Sequence, residues 1–92
     1  MSRIELAGDI DLAVGEEVHE RVCAAAHAAA TDGHELVIDL GGVTFMDSTG
    51  LNCIAHAMHI LGRDGRVVLT RTPPVIRRVL VLAQLDHLCD DA

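Results

Sequence analysis

The segment Glu35-Leu36-Val37-Ile38-Asp39-Leu40-Gly41-Gly42-Val43-Thr44-Phe45-Met46-Asp47-Ser48-Thr49-Gly50-Leu51 decides the fold. Its first six residues are mainly aliphatic with no breaker among them, which predicts a buried central strand. Gly41-Gly42 reads as the opening of a loop that runs to Asp47. Beyond it, Leu51, Ile54, Ala55, Met58 and Leu61 recur at helical spacing, and Asp47-Ser48-Thr49 offers capping side chains. A helix is therefore expected to begin at Ser48 or Thr49. A buried strand followed at once by a capped helix is the unit from which parallel α/β sheets are assembled.

The flanking sequence extends this unit in both directions. Upstream, Ile4 and Leu6 alternate ahead of Gly8, giving a strand over Arg3 to Ala7 with Asp9-Ile10-Asp11 leading out of it. Val18, Val22, Ala25 and Ala29 mark one face of an Ala-rich helix from about Val14 to Ala30, which Asp32-Gly33 ends. Downstream, Gly62 and Gly65 bracket the end of the second helix, and Arg66 to Thr70 forms a third strand. Thr72-Pro73-Pro74 then supplies a hydroxyl cap and prolines for a third helix with Ile76, Val79, Leu80 and Ala83 on its inner face. Strand and helix alternate three times. This order predicts an α/β fold in one domain, 1–92, with a small, mostly parallel or mixed sheet, right-handed crossovers and a single layer of helices.

The chain has 92 residues, half of them apolar, and Phe45 is its one aromatic residue, so the core must be aliphatic. Base-stacking surfaces are missing, and a formal charge of −7 repels phosphate backbones and anionic membranes. Nucleic acid is thus excluded as the expected partner. All seven basic side chains are Arg. The apolar runs are far short of the roughly 20 residues that cross a bilayer, and no signal-peptide pattern opens the chain, so no membrane insertion and a cytoplasmic location are expected. Cys23, Cys53 and Cys89 are odd in number and lack a Cys-x-x-Cys spacing, as befits free thiols in a reducing compartment.

Phe45-Met46-Asp47-Ser48-Thr49-Gly50-Leu51 places two hydroxyls and a carboxylate at a helix N-terminus. On its own this describes a helix cap. Together with Leu6-Ala7-Gly8-Asp9-Ile10-Asp11, Leu36 to Leu40, and Arg66 to Pro73 ahead of Arg77-Arg78, it resembles the STAS domain family of bacterial anti-sigma factor antagonists. The landmarks match in order and spacing across essentially the whole chain. The resemblance implies that Ser48, the first hydroxyl after Asp47, is phosphorylated by a partner that is both serine kinase and anti-sigma factor, with Thr49 as second choice. It also implies a short version of the fold, without the customary first strand and most of the C-terminal helix. The strand at Arg3 to Ala7 would then be an open edge, available for homodimer pairing.

On the second helix Ser48, Asn52, His56, His59 and Arg63 cluster away from the apolar side, and the half near Ser48 is the expected docking face. Asp11, Asp47, Ser48, Thr49, Gly50 and Asn52 are accordingly the expected partner-binding residues, with Asp9 and Asp11 placed near the serine by the resemblance. A phosphatase that resets the switch is a further expected partner. The rival reading is a constitutive STAS subunit of a lipid-transport ABC complex.

No cofactor, metal or catalysis is expected. Cys53, His56 and His59 drift around their helix, while His19, Cys23 and His27 border an apolar stripe, and neither triple finds a fourth ligand in sequence. Asp47-Ser48-Thr49-Gly50 lacks the spacing and second copy of an aspartic-protease loop. Nucleophile-elbow, phosphate-loop and dinucleotide patterns are missing as well.

Overall fold

The computed structural model describes residues 2–90. Strand β1 (Ser2–Ile10) leads through helix α1 (Gly15–Thr31) into β2 (Glu35–Met46), and α2 (Ser48–Leu61) leads into β3 (Arg66–Thr70). Helix α3 (Pro74–Leu82) and a short 3-10 turn at Asp86–Leu88 follow. The strands lie in the order β1-β2-β3 and both pairings are parallel, so the named strands form a parallel rather than a mixed sheet.

Register explains the core. Ile4 lies opposite Ile38, and Ile38 opposite Leu69, so three aliphatic side chains cross the sheet in one row. Leu36 and Val67 form a neighbouring row. Val22, Ala26 and Ala29 of α1, Ile54, Ala57 and Leu61 of α2, and Ile76 and Leu80 of α3 join these residues in one buried cluster. The alanines of α1 keep that helix close to its neighbours, where larger side chains would hold it away. Ala26 takes the inward position expected for Ala25, and Cys53 and Ala57 flank Ile54 where Ala55 was expected. Ala55 is exposed.

Asp39 lies in the central strand and is almost fully buried. Its carboxylate accepts hydrogen bonds from Arg3 at 2.6 Å, Arg71 at 3.4 Å and the Gly41 backbone N–H at 2.8 Å. These partners offset the desolvation of the charge. Gly41 makes room for them, since a Cβ there would fall 2.6 Å from an Arg71 guanidinium nitrogen.

The expected loop over Gly41 to Asp47 is instead strand. β2 continues to Met46, and β1 continues past Ala7 to Ile10, with Asp9 opposite Phe45 and Ile10 opposite Met46. The pairing is irregular between Glu5 and Ala7 and again between Gly8 and Asp9. Glycine serves this close approach, because a Cβ on Gly42 would meet the Ala7 Cβ at 3.0 Å. The two glycines therefore bulge the ladder without ending it. The third helix also differs at its start. Pro73 is the cap and accepts no bond through its side chain, while Thr72 is buried with its hydroxyl 3.6 Å from the Cys89 thiol.

Among the described residues β1 is an edge strand, paired with β2 alone. The far side of β3 is partly covered, with Cys89 bridging Leu69 and the Asp90 N–H donating to the Leu69 carbonyl at 3.0 Å. No described helix is long and apolar enough to cross a membrane.

Candidate functional site at the strand ends

The C-terminal ends of β1 and β2 bring the expected site residues together. Ile10 and Met46 are paired, and the Asp47 N–H donates to the Ile10 carbonyl at 3.4 Å, so the Asp11 and Asp47 turns begin side by side. Asp11 folds its own turn by accepting from the Ala13 N–H at 3.0 Å. Asp47 has extended backbone and caps α2, accepting from the Thr49 N–H at 2.8 Å. The expected start of this helix is thus met at Ser48, with Asp47 as the capping side chain.

The motif's residues have different surroundings. Ser48 is exposed at the first helical position, and its side chain makes no hydrogen bond among the described residues. Thr49 is half-buried, with its methyl turned to the start of α1: a Cβ on Gly15 would fall 2.5 Å from Thr49 Cγ2. Gly50 is buried, and a Cβ there would lie 2.6 Å from Met46 Cγ and 3.0 Å from Ile10 Cγ2. Gly50 therefore supports the surface from beneath and does not line it. Asn52 is exposed one turn after Ser48.

Two exposed apolar residues that the sequence alone does not mark as contacts border this region. Leu12 is 84% exposed directly after Asp11, and Phe45 is 48% exposed two residues before Asp47. Their sequence signal is modest: a leucine directly after the turn-forming Asp11, and the chain's one aromatic side chain on a strand end. A surface with a hydroxyl, carboxylates and two uncovered apolar groups has the mixed character of a transient protein interface.

The model of the STAS_2 family, described as Mlab, STAS domain, matches residues 1–90. The chain belongs to this STAS domain family. No curated protein sequence matches it. Among solved structures, this STAS domain is similar to the anti-sigma factor antagonist SpoIIAA in its unphosphorylated form. The TM-score is 0.78 at 25% identity, covering 98% of this chain and 77% of that one. It is also similar to the Bacillus cell fate determinant SpoIIAA in the phosphorylated form, with TM-score 0.69 at 25% identity, covering 98% of this chain and 80% of that one.

A phosphoryl group on an exposed N-terminal hydroxyl of α2 would meet unsatisfied backbone N–H groups and the positive end of the helix dipole. Such a site accommodates the added charge at little cost to the fold, with a favourable term of about 0.3–1 kcal/mol. The effect on a docked protein is opposite in sign, because about −1.5 to −2 charges would be added beside Asp47 on a chain that already carries −7.

Proposed function

We propose that this STAS domain is an anti-sigma factor antagonist in a partner-switching cascade. Unmodified, it binds an anti-sigma factor that is also a serine kinase, and so releases the sigma factor. Phosphorylation of Ser48 ends that binding, and a phosphatase restores it. The kinase contributes ATP and the catalytic groups, so this chain acts as ligand and substrate and not as catalyst. The observation that carries the reading is the exposed Ser48 at the start of α2, between the capping Asp47 and the half-buried Thr49, its side chain without a hydrogen bond among the described residues. The similarity to SpoIIAA, an antagonist solved with and without phosphate, supports it.

Asp11, Asp47, Thr49 and Asn52 surround Ser48 in the proposed docking surface, with Leu12 and Phe45 as apolar contacts and Gly50 holding the helix start against β1 and β2. Incubation with the cognate kinase and ATP, followed by mass mapping, tests the acceptor. One phosphoryl group on Ser48 is expected, with Ser48→Ala unlabelled and Thr49→Ala labelled as in the wild type. Label that persists in Ser48→Ala would contradict the assignment.

A second reading is a constitutive STAS subunit of a lipid-transport ABC complex in the cytoplasm. The matching family is described as Mlab and not as an antagonist, which favours this reading. It requires a stable complex whose affinity is indifferent to the state of Ser48.

A further inference from the structure

The sequence offers two incomplete sets of metal ligands, one on each of the first two helices, and the fold combines members of both. His19 and Cys23 stand one turn apart on α1, and His56 projects from α2 to meet them. The ligand atoms of His19, Cys23 and His56 all lie within 4.8 Å of one another. His19 Nε2 is 3.4 Å from Cys23 Sγ, and the rings of His19 and His56 meet edge to face with centroids 4.8 Å apart. His27 and His59, which completed the sets in sequence, fall outside this cluster.

We propose that His19, Cys23 and His56 bind a divalent zinc ion across the seam between α1 and α2. Two imidazoles and a thiolate form a borderline-soft donor set that suits zinc better than magnesium or calcium. With metal–nitrogen and metal–sulfur bonds of about 2.0–2.3 Å, tetrahedral ligands stand roughly 3.3–3.6 Å apart. The His19 to Cys23 separation already has this value. The widest separation must close by about 1 Å, which a rotation of the exposed His56 side chain can supply. Three protein ligands leave a fourth position for water or for a donor from a docked protein.

Cys53 completes the surroundings without joining the ligands. Its thiol is buried on α2 and lies 3.9 Å from His19 Nδ1, the nitrogen that does not face Cys23. With Nε2 on zinc, Nδ1 carries the proton and donates toward Cys53 Sγ, fixing the ring and its tautomer. Binding costs one proton, released from Cys23 as it becomes the thiolate ligand.

The test is titration of the reduced, full-length protein with zinc chloride, followed calorimetrically, and with cobalt chloride, followed by absorption. One ion per chain is expected, with a thiolate-to-cobalt charge-transfer band and tetrahedral ligand-field bands. Cys23→Ser and His56→Ala should each weaken zinc binding by about a hundredfold or more, and Cys53→Ala by about tenfold. His27→Ala should leave it unchanged. Circular dichroism of each variant separates loss of ligand from loss of fold, and the cobalt spectrum of the wild type does not depend on any variant. A cobalt complex without the thiolate band, or zinc affinity unaltered by both Cys23→Ser and His56→Ala in folded protein, would overturn the proposal.

Discussion

Ile38→Ala is expected to remove about 3–4 kcal/mol of stability, within the range for truncating a fully buried isoleucine. The position is central in every direction: Ile38 is completely buried, lies on the middle strand, and pairs with Ile4 on one side and Leu69 on the other. The helices beside it cannot easily collapse into the space, because α1 and α2 pack on each other as well as on β2. A domain of this size has a total stability of only about 5–14 kcal/mol. The loss is thus a large share of the whole. Urea unfolding should show a lower midpoint with an unchanged slope, and a shift below about 1 kcal/mol would contradict the packing described for this row.

Ser48→Asp is expected to weaken binding to the anti-sigma factor about a hundredfold, which corresponds to roughly 2.7 kcal/mol. The carboxylate puts a permanent negative charge at the first position of α2 beside Asp47, where a docking partner must desolvate it or turn it away. The same charge is favourable for the helix itself, so the folded state should be unaffected within about 0.5 kcal/mol. Ser48→Ala removes the acceptor hydroxyl without adding charge and should bind nearly as the wild type does. Calorimetric titration distinguishes the two variants. Wild-type affinity in Ser48→Asp, with thermal stability preserved, would count against a docking surface centred on Ser48.

The fold was legible in sequence where local pattern and tertiary position agree. The aliphatic run of Leu36 to Leu40 has the pattern of a central strand, and Asp47 to Gly50 has the chemistry of a helix start, which are the places the structure assigns them. The extent of β2 was less legible, because Gly41-Gly42 signals a break unless the partner strand is known. Only the pairing of Ala7 with Gly42 shows that the glycines admit a close neighbour. The inner face of α2 was similarly ambiguous. Ala55 is small and apolar, but the orientation of the helix is set by Ile54, Ala57 and Leu61, leaving Ala55 exposed.

At the candidate site the sequence identified the motif but not the environment of each member. Ser48 and Thr49 are adjacent hydroxyls, and only the packing of Thr49 against Gly15 separates the exposed one from the wedged one. The grouping of His19, Cys23 and His56 was illegible for a related reason. Their ligand atoms converge across two helices separated by a whole strand, so no spacing along the chain records it.

The switching claim is tested most directly by titrating one cognate anti-sigma factor with the unmodified chain and with chain carrying a single phosphoryl group on Ser48. Tight binding of the first and about a hundredfold weaker binding of the second are expected, both chains keeping the same circular dichroism and melting temperature. Equal affinities for the two forms would contradict it.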